Sequence, residues 1–154
     1  MEEPASGADG DSVEALLALA GPRLRRAYVG AYGVDRAAEA AAESIAWGWE
    51  HRDRLTAMDN PVGYLYRVGL TRTRPRRRPL LPKPAEVGLP QIEPRLIDAL
   101  AALPERQRVA VWLVHACEWT QVEVAEVLEI SPSAVSTHVA RGMRALRDAL
   151  EVAP

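Results

Sequence analysis

Residues 119–150, WTQVEVAEVLEISPSAVSTHVARGMRALRDAL, predict two helices joined by a short turn. Thr120 and Glu123 have the spacing of a capping box, so the first helix should begin just after Thr120. Ser131 followed by Pro132 predicts the start of the second helix, because a hydroxyl can cap it and proline is favoured at its first position. With a turn of about three residues, this stretch has the layout of a helix-turn-helix.

The second helix has two contrasting sides. Apolar residues recur on one side at intervals of three or four: Val135, Val139, Met143, Leu146 and Leu150. The other side is small, polar and cationic: Ser133, Ser136, Thr137, Ala140, Arg141 and Arg144. A helix that enters the major groove of DNA needs such a side. A solvated helical hairpin is the alternative, but the small Ala125 at the expected helix crossing favours DNA binding, as does the scarcity of acids on this side.

Charge is distributed unevenly along the 154 residues, whose formal net charge is −2. Residues 1–60 carry eleven acids and six arginines, and residues 85–154 carry ten acids and six arginines. Residues 61–84 carry seven basic residues and no acid. Because local potential attracts a polyanion, this basic block is compatible with a nucleic-acid partner despite the negative net charge.

Cysteine content and hydropathy indicate the compartment. The single cysteine, Cys117, excludes an internal disulfide framework and fits a reducing environment. The sequence shows neither a signal segment nor an apolar run long enough to span a membrane. We therefore expect a cytoplasmic protein with no membrane span.

The sequence predicts an all-α fold with two small helical domains. Residues 1–10 are expected to be a disordered leader, and residues 11–74 a helical domain in which Gly21-Pro22 breaks or bends the first helix. Asp35 is expected to cap the next helix, where acids recur along one face at helical spacing: Glu39, Glu43 and Glu50. This acidic row is either a solvated surface or a docking face for a basic partner.

The helix that ends the first domain carries aromatic and basic residues. Asn60-Pro61 predicts its start, and Pro75 should end it near Thr73. Tyrosines precede a run of arginines in and just beyond it: Tyr64, Tyr66, Arg67, Arg72, Arg74, Arg76, Arg77 and Arg78. Such residues can neutralise phosphates and stack on unpaired bases. Alternatively, the tyrosines belong to the core and the arginines only solubilise a linker.

Residues 75–94 hold six of the twelve prolines and are predicted to be a linker. As extended polyproline of about 3.1 Å per residue it would reach roughly 60 Å, or some 18 base pairs at about 3.4 Å each. Two helical modules could then touch two separate DNA sites. Residues 95–150 form the second predicted domain, of four helices including the helix-turn-helix.

The order of these parts resembles the bacterial RNA polymerase sigma factors of the small extracytoplasmic-function type. LIDALAALPERQRVAVWLVHACEWTQVEVAEVLEISPSAVSTHVARGMRALRDAL is similar to their region 4. NPVGYLYRVGLTRTRPRRR and the stretch from Ala37 to Trp49 are similar to parts of their region 2. The resemblance implies a transcription initiation factor, with core RNA polymerase and promoter DNA as partners and no cofactor. Whether an inhibitory anti-sigma protein also binds is left open.

The resemblance also implies roles for individual residues. Region 4 would read duplex DNA with the second helix, through Ser133, Ser136, Thr137, His138, Arg141 and Arg144. Region 2 would hold melted DNA with Tyr64, Arg67, Arg72, Arg74, Arg76 and Arg77. Glu39 and Glu43 lie on the helix that would face the polymerase.

Several positions depart from the family pattern. Ala42 stands where a glutamine is usual and Ile45 where phenylalanine is usual, and Pro75 shortens a helix that normally continues. Ser136 and His138 stand where lysine and arginine are frequent. Glu129 occupies a turn position that is often glycine, which predicts backbone strain there.

Three other functions are alternatives. An enzyme would have to use His115, Cys117 and Glu118, but residues two apart on a helix do not share a face, and metal-ligand spacing is lacking. A helix-turn-helix regulator without a polymerase role would not need the arginines of residues 60–78. A degenerate sigma-like protein that acts only through protein contacts remains an alternative because of Ala42 and Pro75.

Overall fold

The computed structural model describes residues 6–73, 80–81 and 93–151, with only the backbone described for residues 6–9 and Pro94. Within these ranges the chain forms eight α-helices and one π-helical turn, and no strand. The predicted all-α class is confirmed. No helix in these ranges has the length and apolarity to cross a membrane.

Helix α1 spans Ser6–Tyr32 and passes through Pro22 without ending. Of the two expected effects of Gly21-Pro22, a break or a bend, the break is therefore wrong. A side chain before proline normally clashes with the proline ring in helical geometry, and Gly21 has no Cβ to clash. The predicted leader, residues 1–10, is also too long, because residues 6–10 are helical; residues 1–5 lie outside the described residues.

The remaining helices of the first half are α2, Val34–Glu50, α3, Arg52–Leu55, and α4, Pro61–Arg72. The Asn60 side chain accepts a 3.0 Å hydrogen bond from the Gly63 amide, so the predicted cap of α4 is confirmed. Helix α2 is instead capped at Gly33, which has a positive φ of 80°, and Asp35 lies in its first turn.

The tyrosines of α1 join the helices of the first half. The Tyr28 hydroxyl donates to the α4 carbonyls of Leu65 and Tyr66, at 2.9 and 2.8 Å, and lies 2.6 Å from Ser44 Oγ of α2. The Tyr66 ring stacks on Tyr28 with 4.7 Å between centroids. Tyr66 is thus a core residue, as one of the two sequence-based alternatives held.

The second half contains α5, Pro94–Ala102, α6, Glu105–Val111, the π-helical turn, Trp112–Ala116, α7, Gln121–Leu128, and α8, Pro132–Leu150. The capping box at Thr120 is present, with hydrogen bonds of 3.1 and 2.8 Å to Glu123. Ser131 Oγ accepts from the Ala134 amide at 3.1 Å, as predicted for α8. Local sequence signals therefore placed both helices of the helix-turn-helix correctly.

The two halves pack against each other, and their buried apolar residues form one continuous cluster. Helix α1 contacts α6 and the π-helical turn, and α4 contacts α7. Most of the predicted linker, residues 74–79 and 82–92, lies outside the described residues. Between those ranges, the Leu80 carbonyl accepts a 2.9 Å hydrogen bond from the Val34 amide, and a Cβ on Gly33 would overlap the Leu80 backbone.

Candidate nucleic-acid interface

The polar side of α8 faces solvent. Its small, polar and cationic residues are all exposed: Ser133, Ser136, Thr137, Ala140, Arg141 and Arg144. The opposite side is buried against the rest of the second half: Val135, Val139, Gly142 and Leu146. A Cβ on Gly142 would lie 2.7 Å from Val111 Cγ2, so α6 and α8 pack closely at that point. We define the exposed set as the recognition face.

Hydrogen bonds organise the first turns of the recognition face. Ser136 Oγ donates to Gln121 Oε1 of α7 at 3.2 Å, and Thr137 Oγ1 donates to the Ser133 carbonyl at 3.0 Å. Arg141 and Arg144 form no ion pair with any residue that the structure describes. Their guanidinium groups are therefore available to a phosphate or a base edge.

His138 stands apart from the rest of the predicted duplex-reading set. It is only partly exposed, and its Nδ1 is buried without a hydrogen-bond partner among the described residues. Its position between Val135 and Val139, both buried, turns its ring toward the side of α8 that packs inward.

The turn between α7 and α8 has the strain that the sequence predicted. Glu129 adopts a left-handed conformation, with φ of 56° and ψ of 43°. The Ile130 amide donates to the Ala125 carbonyl at 3.1 Å, which closes the end of α7. Ala125 is 5% exposed, consistent with its predicted place at the crossing of the two helices.

In the first half, the residues predicted to hold melted DNA lie partly on α4. Tyr64 and Arg67 are half-buried and Arg72 is exposed. The Tyr64 ring lies 5.3 Å from the Trp47 ring, centroid to centroid. The other three predicted arginines, Arg74, Arg76 and Arg77, lie outside the described residues. The structure thus gathers an aromatic ring and two arginines on one helix.

Arg67 contacts the second half of the chain directly. Its Nη2 donates to Glu129 Oε1 in an ion pair whose side chains are 42% and 70% exposed. Tyr64 and Arg67 also line a cleft of about 410 Å³ whose other wall includes Glu126 and Val127 of α7. No pattern in the sequence indicates this approach of α7 to α4.

The predicted polymerase-facing residues, Glu39 and Glu43, are exposed on α2. The same helix contributes Ala42, Ile45 and Trp49 to a broad apolar groove of about 980 Å³ between α1 and α2. Trp49 is 42% exposed there. An exposed apolar groove with acids at its edge is suited to a protein partner.

Contacts that sequence reasoning missed connect the two halves. Arg108 is 6% exposed, and its Nε and Nη1 donate to the carbonyls of Gly30 and Leu103 at 2.7 and 2.9 Å. Burial lowers the pKa of this guanidinium. Trp112 Nε1 donates to the Arg26 carbonyl at 2.8 Å, and the Trp119 ring meets the Tyr66 ring edge-on, with 5.3 Å between centroids. We call these contacts the seam.

The seam leaves one polar atom unsatisfied. Tyr66 is completely buried, and its hydroxyl has no hydrogen-bond partner among the described residues. Burial raises the pKa of this phenol well above its usual value, and the neighbouring Tyr28 adds to the effect. Because this buried donor has no acceptor among the described residues, it lowers the stability of the packing between the two halves.

Comparisons with known proteins agree with this architecture. Residues 94–146 match the family model of Sigma-70, region 4. The sigma factor SigF of Mycobacterium tuberculosis, in strains CDC 1551 and H37Rv, is 43% identical over 68 residues. That match covers 43% of this chain and 26% of SigF, so the chain spans about a quarter of the length of the relatives it matches.

A solved structure shares the fold over almost the whole chain. It is the sigma factor RpoE in complex with the anti-sigma factor NepR from Bartonella quintana, with a TM-score of 0.74. The match covers 94% of this chain and 99% of that one at 17% identity. The match of residues 94–146 is thus to a sigma-70 region 4 model, and the chain shares the fold of a solved sigma factor.

Proposed function

We propose that this chain is a transcription initiation factor that binds core RNA polymerase and directs it to specific promoters. The recognition face of α8 is the observation that carries the proposal. It presents hydroxyls and two guanidinium groups that form no ion pair among the described residues. They lie on the second helix of a helix-turn-helix, the element that such domains insert into the major groove. Its residues would read duplex DNA.

The first half of the chain would hold melted DNA and bind the polymerase. Tyr64, Arg67 and Arg72 of α4, with Arg74, Arg76 and Arg77 beyond it, would hold melted DNA, since aromatic rings stack on bases and arginines neutralise phosphates. Glu39 and Glu43 would contact the polymerase from α2. The exposed apolar groove beside them supports a protein partner on this face.

We propose no catalytic role for the chain. Burial raises the pKa of the Cys117 thiol to about 11, so this thiol is protonated and a poor nucleophile near neutral pH. The described residues contain no group of three histidine, cysteine or acidic side chains placed to hold a metal ion.

As a transcription factor the protein would act in the cytoplasm. The complex of the similar RpoE with NepR suggests an anti-sigma protein as a further partner.

Run-off transcription with purified core polymerase on genomic fragments tests the proposal. We expect specific transcripts with the chain and none without it. Failure to retain core polymerase in a pull-down would favour a helix-turn-helix regulator that works without polymerase. Retention of polymerase without opening of promoter DNA would favour a protein that acts only through protein contacts.

A further inference from the structure

We infer that the recognition face selects bases that carry an exocyclic amino group, adenine or cytosine, at the positions that Ser136 and Thr137 reach in the major groove. The inference rests on the proposed function, because it concerns the DNA sequence that the recognition face would read. Gln121 of α7 is a positioning residue in this account, since it accepts the hydroxyl proton of Ser136.

The first step is the hydrogen-bond state of the two hydroxyls. A hydroxyl group has one proton to donate and two lone pairs that accept. Ser136 Oγ donates its proton to Gln121 Oε1 at 3.2 Å, and Thr137 Oγ1 donates its proton to the Ser133 carbonyl at 3.0 Å. Both residues are exposed. Toward DNA, their oxygens therefore offer only lone pairs, and they act as acceptors.

The second step is the chemistry of the base edges. In the major groove, adenine N6 and cytosine N4 are amino groups that donate, whereas guanine O6 and thymine O4 accept. A hydroxyl whose proton is already used can bond to the amino groups and not to the carbonyl oxygens. A free hydroxyl rotates to suit either kind of base and so discriminates little between them. Because the proton is held within the protein, the contact becomes selective.

Ser136 also differs in this respect from the residue that is frequent at its position. The sigma factors that the chain resembles often have lysine there, and an ammonium group donates hydrogen bonds and accepts none. Serine with its proton held by Gln121 accepts and does not donate. The hydrogen-bond character of the position is thus reversed. Arg141 and Arg144 remain donors on the same face, so the face would present both kinds of group.

Gln121 is held in place by the start of α7. It is the first residue after the Thr120 cap, and two hydrogen bonds between Thr120 and Glu123 fix this turn. Helix α7 packs against α8, so the carboxamide stays beside Ser136. The acceptor for Thr137 is a backbone carbonyl, which a side-chain substitution leaves in place. Gln121 is therefore the residue through which the inference can be tested.

The test begins with selection of duplexes from a random library by the full chain bound to purified core polymerase. Fluorescence anisotropy then compares each base pair of the selected duplex with its inverted pair, which puts a carbonyl oxygen in the place of the amino group. The position that Ser136 reads is the one at which Ser136→Ala loses the preference. We expect the wild type to prefer the amino-bearing base there by about 2- to 12-fold, the range for one hydrogen bond.

Two variants of Gln121 separate an effect on base preference from an effect on affinity. Gln121→Ala frees the Ser136 proton, so the preference should fall below about twofold. Gln121→Glu retains an oxygen that accepts this proton, so the preference should persist, while the added negative charge weakens binding to all duplexes. Val122→Ala, at the next exposed position of α7, is the control and should match the wild type. A purely structural role of Gln121 would change affinity and leave the preference as it is.

Four results would overturn the inference: a preference for the carbonyl-bearing base where Ser136 reads, an unchanged preference in Gln121→Ala, a preference lost in Gln121→Glu as well, or no position that depends on Ser136. In each case the selected duplex would leave the proposed function standing. If the library yields no selected duplex, the proposed function fails along with the inference. If circular dichroism shows that Gln121→Ala does not fold, Gln121→Met, which keeps the length of the side chain without its oxygen, takes its place.

Discussion

The indole of Trp112 lies against Gly30 and donates through Nε1 to the carbonyl of Arg26, one turn earlier in α1. The Trp112 side chain of the second half thus both packs against α1 and donates a hydrogen bond to it. The absence of a side chain at Gly30 allows this close approach, and the short distance of 2.8 Å indicates a well-formed bond.

Trp112→Phe should lower the free energy of unfolding by about 1–2 kcal/mol, because it removes the donor and leaves the Arg26 carbonyl without that partner. Urea unfolding of the full chain measures the change. Trp49→Phe is the control, since Trp49 is 42% exposed and its loss should change stability by less than about 0.5 kcal/mol. Equal effects at the two sites would show that the hydrogen bond to α1 contributes nothing.

Gly69→Ala should destabilise the first half by about 1–3 kcal/mol, through overpacking. A Cβ on Gly69 of α4 would overlap the Tyr28 hydroxyl and approach Ser44 Oγ to 2.6 Å. The better helix propensity of alanine, up to about 1 kcal/mol, offsets only part of this cost. Thermal unfolding compares it with Gly10→Ala, which has open space. A melting temperature above that of the wild type would contradict the close packing at Gly69.

The helix caps could be predicted from the sequence and the contacts of the seam could not, because their partners lie at very different separations along the chain. Asn60, Thr120 and Ser131 cap helices through partners three residues away, so their spacing alone identified the helix starts. The Arg108–Gly30 and Trp112–Arg26 hydrogen bonds join residues 78 and 86 positions apart. Nothing in local spacing indicates such pairs. The recognition face was found from its periodicity, whereas the covering of Arg67 by Glu129 depends on tertiary packing.

Tyr66→Phe should raise the free energy of unfolding by about 1–2 kcal/mol, because it removes a buried hydroxyl that has no partner among the described residues. It should also reduce sensitivity to alkali. Burial raises the folded-state pKa of Tyr66 above the ordinary value of 10.0, so the phenol ionises more readily in the unfolded chain. The wild type therefore keeps its full stability below about pH 10 and loses stability as the pH rises further.

Thermal unfolding of wild type and Tyr66→Phe at pH 8 and pH 11 measures both effects. The wild type should lose more stability over this interval than the variant. Tyr28 and Tyr32 are retained in both proteins, and their raised pKa values give a shared alkaline loss that cancels in the comparison. An equal loss of stability in the two proteins would show that the pKa of Tyr66 is the same in the folded and unfolded states.

Glu129→Gly should be more stable than Glu129→Ala by about 1 kcal/mol, because an L-residue is strained in the left-handed conformation that Glu129 adopts. Both variants lose the ion pair with Arg67, so the comparison isolates the backbone. Glu126, exposed inside helix α7, should show the reverse order, with glycine less stable than alanine by about 1 kcal/mol. Urea midpoints of the four variants provide the measurement, and the same order at both sites would exclude strain at the turn.

Arg141→Ala should weaken binding to a specific promoter duplex by more than binding to random duplex, because contacts to base edges carry sequence information and phosphate contacts do not. The loss expected for one base-reading arginine is about 1–3 kcal/mol, or roughly 5- to 150-fold. Arg147 is also exposed on α8 but lies beyond the recognition face, so Arg147→Ala is the matched control and should affect both duplexes alike. Titrations at several salt concentrations separate the two contributions, since a phosphate contact reduces the salt dependence by about one ion. Equal losses on both duplexes would assign Arg141 to the phosphate backbone and leave sequence reading to the hydroxyls of Ser133, Ser136 and Thr137.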